Sequence, residues 1–117
     1  MEIKKYDIFL VDLNPTKGSE QKGIRPCLVI QNNGANNFSR TTVICPISST
    51  LKRYPHHLII KPSTENGLKN ESRVDFLQVR TIDKARIINK IGKLDQGYKN
   101  EFKYRMEISF DFEDLLE

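Results

Sequence analysis

The sequence predicts a small, mainly β domain in which an antiparallel barrel or curled sheet is followed by a C-terminal helix. Three observations carry that prediction. Six short apolar segments before residue 94 are separated by Gly, Asn, Ser and Pro, as strands joined by turns are. Beyond Leu94, Tyr98, Phe102, Met106 and Phe110 recur at intervals of four, the repeat of one helical face. The chain has 117 residues, so residues 1–117 form one domain with no room for a second.

Taken in order, Tyr6–Leu13 is the first strand, with Asp7 and Asp12 near its ends and Pro15 closing it. Cys27–Ile30 follows Pro26, and Thr42–Ile47 is β-branched and interrupted by Pro46. His57–Ile60, Val74–Val79 and the isoleucine-rich Ile87–Ile91 complete the set. No segment before residue 94 reads as a long helix, which excludes regular β/α alternation. Asp95 is the expected N-cap of the terminal helix. Tyr104, Met106, Ile108, Phe110 and Phe112 also alternate as a strand would. The unbroken length and the Glu, Lys and Met content favour a helix of roughly five turns. Such a helix is apolar on two sides, which calls for burial by the sheet and by a second subunit.

Hydrophobic residues make up 38% and charged residues 29%, a balance that fills a core and excludes general disorder. Apolar runs reach only four or five residues, such as Ile8–Val11, so a membrane-spanning helix is excluded. Met1 leads into patterned sequence without the apolar core of a signal peptide, and a cytoplasmic location is expected. Cys27 and Cys45 are then expected to stay reduced. The formal charge of +4 is unevenly spread. Residues 107–117 hold five acids and no base, leaving a net +9 on the preceding 106 residues. A basic body with an acidic end suits an anionic partner such as nucleic acid, although a solvated surface accounts for charge alone equally well.

The polar stretch from Asn14 to Arg25 is long for a strand connection, and loops of that length usually carry function. Gly18 and Gly23 have the spacing of a phosphate-binding loop, but Ile24-Arg25 stands where Lys-Ser/Thr is required. Metal chemistry finds little in the pattern: there is no Cys-x-x-Cys and no His-Glu-x-x-His. His56 and His57, if extended, point to opposite faces and read as surface residues at a strand start. Gly-x-Ser-x-Gly is absent, which removes one serine-hydrolase arrangement. What remains is Arg25 at the seam between loop and strand, with the hydroxyls of Ser48-Ser49-Thr50 at the end of another. Arginine binds phosphate through a fork and offsets charge that develops in a transition state. RNA supplies its own nucleophile, the 2′-OH, so such a site needs neither metal nor protein nucleophile. From these residues alone, an ordinary surface arginine and an ordinary turn remain the simpler account.

Three blocks change that balance. Val11–Ile30, with Gly18-Ser19-Glu20-Gln21 and Arg25-Pro26, resembles the signature of the MazF/PemK toxins. So do Val43–Ser49 and Leu77–Arg86, the latter containing Arg80-Thr81-Ile82-Asp83, in the same order and spacing. An Ile-x-x-x-Ile-Gly-x-Leu segment, Ile87–Leu94, follows. The resemblance implies an SH3-like barrel of CcdB/PemK type with a C-terminal helix, acting as a homodimer. It implies the toxin of a type II toxin–antitoxin system, a metal- and cofactor-independent, sequence-specific endoribonuclease for single-stranded mRNA, held in check by an acidic antitoxin. On this likeness Arg25 is catalytic, and Ser48 stands where the family has threonine, with Thr50 a weaker substitute. Gly18, Ser19, Glu20 and Gln21 match the loop that closes over RNA, while Asn32 and Gln78 match base-reading positions. Lys52 and Arg53 would bind the RNA backbone. Some relatives carry a further Arg/Asp pair before the Gln; Asp75 and Leu77 stand there instead. Arg80 and Asp83 are expected to form a structural ion pair or cap. Two rival readings keep the fold but change the activity: a CcdB-like gyrase poison and a catalytically silent RNA-binding module. The first requires a terminal Trp-Gly-Ile, and this chain has no Trp.

Overall fold

A computed structural model describes residues 1–49 and 52–114. Its strands are β1 (Asp7–Asp12), β2 (Ile24–Val29), β3 (Thr41–Ser48), β4 (His57–Ile60), β5 (Ser72–Asp75), β6 (Arg80–Asp83) and β7 (Ile87–Lys93). Two helices accompany them, α1 (Asn33–Phe38) and α2 (Lys99–Phe110). The sheet is antiparallel in the order β4-β5-β3-β2-β1-β7, and β6 also pairs with β3. It curls as expected, but β4 and β7 at the two ends of that order do not pair, so the barrel stays open.

The strands bury both faces, each by its own set of alternating residues. Ile8, Leu28, Cys45, Ile47, Leu58, Val74 and Phe76 face one core, which Phe102 of α2 closes. Phe9, Val11, Cys27, Val29, Ile44 and Ile82 face a second core. Phe102 meets Tyr6 and Phe76 edge-on, with ring centroids 5.1 and 5.3 Å away. Its burial supplies about 2–3 kcal/mol.

Several sequence expectations change in detail. β2 begins at Ile24 and so includes Arg25 and Pro26. The expected strand Val74–Val79 ends at Asp75, whose side chain accepts from the Leu77 N–H and starts a 3-10 turn. Both α1 and β6 lack a clear sequence signature. The terminal helix is shorter than five turns: a 3-10 turn at Gln96–Tyr98 leads into α2, and Asp111 at φ +49° stops it. Asp95 precedes that turn but makes no side-chain cap; its Oδ1 accepts from Asn66 Nδ2 at 2.9 Å. Tyr98 and Met106 pack on the first core, whereas Tyr104, Phe110 and Phe112 remain exposed. No described helix is long and apolar enough to cross a membrane.

Both cysteines are free and buried. Burial pushes the Cys27 thiol up to about 12 against the opposing charges of Arg80 and Arg25, and pushes Cys45 up as well. Thiolate chemistry is therefore closed to both. A second tight contact joins β7 to the turn before β5. A Cβ at Gly92 would stand 2.4 Å from the Glu65 carbonyl oxygen, so only glycine fits. Gly92→Ala should lower stability by about 3 kcal/mol in urea unfolding. Neither cysteine should react with a disulfide reagent until the protein is unfolded.

Candidate functional site

The loop between β1 and β2 is fastened at its neck before it reaches any partner. Leu13 N–H donates to the Gly23 carbonyl (3.0 Å), and Gly23 N–H donates to Asn14 Oδ1 (3.2 Å). Arg80 Nη1 donates to the Leu13 carbonyl at 2.9 Å, while Arg86 Nη1 binds the carbonyls of Asp12 and Asn14. Arg80 thus ties backbone and does not pair with Asp83, which caps the turn at Lys84–Arg86 through the Ala85 N–H. Gly18 and Gly23 adopt φ +53° and +81°, the left-handed region where glycine is strain-free. At the loop tip Glu20 Oε1 accepts the Lys17 N–H, and Gln21 N–H donates to Gln78 Oε1 at 3.3 Å. Ser19, Glu20, Gln21 and Gln78 therefore share one cleft of about 280 Å³, floored by Pro46.

Arg25 stands where this loop enters β2. The β2–β3 ladder runs from Val29–Ile44 to Cys27–Pro46, and Arg25 lies two residues beyond its last pair, opposite Val11 of β1. Arg25 Nε donates to the Lys22 carbonyl at 2.7 Å and makes no other hydrogen bond among the described residues. By contrast, Arg53, Arg73, Arg80, Arg86 and Arg105 each commit an Nη group to a carboxylate or a backbone carbonyl, and only Arg40, ahead of β3, shares the open Nη groups of Arg25 among the described residues. The Nη groups of Arg25 are thus available to an anion. Arg25 also borders a larger cleft of about 570 Å³, together with Lys22, Ser49 and Lys69.

The other expected site residues are placed less uniformly. Ser48 is only 6% exposed and lies across from Arg73, while Ser49 is exposed and lines the larger cleft. Thr50 lies outside the described residues. Lys52 is exposed, and its carbonyl accepts from Arg73 Nη1 at 3.0 Å. Arg53 is already paired with Glu71. Asn32 is not brought to this site: it follows β2 at the end opposite Arg25, about 20 Å away at strand rise. Its Oδ1 caps α1 by accepting the Ala35 N–H at 2.8 Å.

The histidine pair departs most from expectation. His56 lies in the turn that closes with His57 N–H donating to the Tyr54 carbonyl, so the two residues are not extended. Both rings converge on Asp75, which faces His57 across the β4–β5 ladder. His57 is 3% exposed, so it is no surface residue. Burial pushes its pKa below the usual imidazole value, against the pull of Asp75. Sequence reasoning missed this cluster; the turn signal Tyr-Pro before His-His was its only trace.

A curled antiparallel sheet, one helix across its core, and an available arginine beneath a glycine-bounded loop define the toxin-type SH3-like class of domain. Comparison with known proteins narrows that class. A family model described as "PemK-like, MazF-like toxin of type II toxin-antitoxin system" matches residues 4–110, and the chain belongs to that family. It is 37% identical over 111 residues to endoribonuclease EndoA of Bacillus subtilis, covering 93% of this chain and 95% of that protein. Identity to endoribonuclease MazF of Staphylococcus saprophyticus is 34%, over 92% of this chain and 90% of that one. MazF from Deinococcus radiodurans superposes with a TM-score of 0.81 at 19% identity, over 96% of this chain and 99% of that chain. A mycobacterial endoribonuclease in complex with its cognate antitoxin superposes at 0.79 with 17% identity, over 94% of this chain and 96% of that chain.

The Gln21–Gln78 contact is the one side-chain tie between the loop tip and the strand side of the smaller cleft among the described residues. Gln78→Ala should speed hydrogen exchange at the Gln21 amide about fivefold, the worth of a ~1 kcal/mol hydrogen bond. Unchanged exchange there would show that the tie does not hold in solution.

Proposed function

We propose that this chain is the endoribonuclease toxin of a type II toxin–antitoxin pair, cleaving single-stranded mRNA at preferred sequences without a metal or other cofactor. The observation that carries this reading is the uncommitted Arg25 fork at the foot of the loop, in a chain over a third identical to EndoA across almost its whole length. Arg25 on β2 and Ser48 on β3 each lie two residues beyond the last β2–β3 pair, Cys27–Pro46, which supports a two-residue centre at that end of the ladder.

In this mechanism the RNA 2′-OH attacks the adjacent phosphorus, and the P–O5′ bond breaks. The 2′-OH proton is lost and one proton reaches the departing O5′. The products are a 2′,3′-cyclic phosphate, open to hydrolysis to a 3′-phosphate, and a 5′-OH end. Arg25 donates through its Nη groups to the non-bridging oxygens as charge builds on the pentavalent phosphorus. A free guanidinium stays protonated, so charge stabilisation is its main role and proton transfer a lesser one. Ser48 would give its hydroxyl to the scissile phosphate, and its slight exposure requires a local opening when RNA enters. Ser19, Glu20, Gln21 and Gln78 line the cleft where unstacked bases would be read through amide and carboxylate edges, and Gly18 gives the loop its left-handed bend beside them. Lys52 would contact phosphates without sequence preference. Asn32 acts, on this reading, from its own end of the sheet. The working form is a homodimer in the cytoplasm, and an acidic antitoxin binds the basic body and blocks RNA.

The test is incubation of the purified protein with a long single-stranded RNA in excess EDTA. Discrete fragments with 5′-OH ends are expected. Arg25→Ala should reduce cleavage by at least about 100-fold with folding intact. Ser48→Thr should retain activity and Ser48→Ala lose most of it; normal cleavage by Ser48→Ala would move the hydroxyl role to Ser49 or Thr50. Full activity in Arg25→Ala would overturn the assignment. Bound but intact RNA would favour the silent module, the alternative that the burial of Ser48 keeps in play. Antitoxin binding should weaken steeply with added salt, and salt-insensitive binding would rule out electrostatic capture.

A further inference from the structure

We propose that His56, His57 and Asp75 form a binding site for a divalent transition-metal ion of the Zn2+ class, separate from the Arg25 centre. One ligand atom from each of the three residues falls within 4.8 Å of the others. His56 Nε2 stands 3.4 Å from Asp75 Oδ1, and His57 Nε2 stands 3.6 Å from Asp75 Oδ2. Both separations exceed the 2.7–3.2 Å of a good hydrogen bond, so neither is a well-made ion pair. They fit a different geometry. A tetrahedral ion with ligands at about 2.0–2.2 Å has edges of about 3.3–3.6 Å. Both separations lie in that range, each to a different Asp75 oxygen, and ring rotation brings the three ligand atoms, all within 4.8 Å of one another, onto one such ion.

The surroundings aim the ligands. His57 Nδ1 lies 3.1 Å from the Lys52 carbonyl, to which it donates when protonated, leaving the Nε2 lone pair toward Asp75. The Tyr54 N–H, 3.3 Å from the same Nδ1, favours the opposite tautomer, and metal binding would select the first. Asp75 Oδ1 is oriented by the Leu77 N–H at 2.9 Å. Tyr54 stacks on His56 at 5.9 Å and meets His57 edge-on at 5.3 Å, limiting the swing of both rings. His57 presents its Nε2 to the carboxylate from a buried ring, while His56 and Asp75 keep a quarter or less of their side chains open for entry. Arg105 holds the Pro55 carbonyl beside His56, and Arg73, whose Nη1 is turned to the Lys52 carbonyl, is the guanidinium that acts on His57. Its charge disfavours hard ions held by electrostatics alone, such as Mg2+ and Ca2+. It weighs less against a borderline ion bound through imidazole nitrogen. Two imidazoles and one carboxylate leave a fourth position for water. The ion would fasten the turn from Lys52 to His57 onto β5.

The test uses tag-free protein, stripped with chelator and titrated with Zn2+ against a chromogenic chelator, and separately with Co2+. One equivalent per chain is expected at micromolar metal, with the intense visible absorption of tetrahedral Co2+. His56→Gln and Asp75→Asn should each weaken binding at least about tenfold. Asparagine keeps an oxygen for the Leu77 N–H, so the second variant spares the turn. A His56→Gln protein with an unaltered circular dichroism spectrum and weakened uptake supports the site. Absence of saturable uptake in the native chain, or uptake unchanged in both variants, overturns it. Both readouts use protein and metal alone, so failure to cleave RNA would leave them intact.

Discussion

Every functional element of this molecule is referenced to one strand. β3 pairs with β2 along one edge; along the other it pairs first with β6 and then with β5. The change of partner falls between Ile44 and Ile47, and there the sheet bends into its curl. Pro46 sits at this junction, where it pairs with Cys27 and floors the smaller cleft. A strand shared in this way fixes Arg73 opposite Ser48 and Arg80 opposite Ile44 by backbone register. Side-chain packing then only refines the arrangement.

Burial on both faces explains why so much of the fold was legible. Alternation along β1, β2 and β3 feeds two cores at once, so every residue from Ile8 to Val11 is apolar and the strands stand out. The two missed elements are those that hydrophobicity does not hold. β6 buries only Ile82 of its four residues. α1, Asn33–Phe38, is poor in helix formers and depends on polar ties. Asn36 is buried, accepts from Thr42 Oγ1 at 2.8 Å and exchanges hydrogen bonds with Gln31. Such three-dimensional satisfaction has no periodic trace in sequence.

The candidate site was partly legible. Local runs such as Gly18–Gln21 and the Arg25-Pro26 step stood out because their conformation is set by neighbours in the chain. The surroundings of Asn32 and the histidines did not, because the fold brings them together from its own distant contacts. A helix cap claims Asn32, and a turn closed by Tyr54 folds His56 back beside His57. The strand rule of opposite faces fails where the strand has not begun. The terminal helix was overextended for a related reason: its repeat at intervals of four reaches Phe110 with no glycine or proline after it, but the backbone turns left-handed at Asp111.

The arginine ties at the loop neck bear on the formal charge. Arg80 and Arg86 hold carbonyls at the end of β1 and just beyond it, and Arg73 holds the Lys52 carbonyl. A carbonyl does not neutralise a guanidinium, so these residues retain their positive field while their Nη1 groups are held by backbone. A charge count therefore merges two kinds of cation: a fixed potential built into the scaffold, and exposed side chains such as Lys52 that are free to exchange counterions.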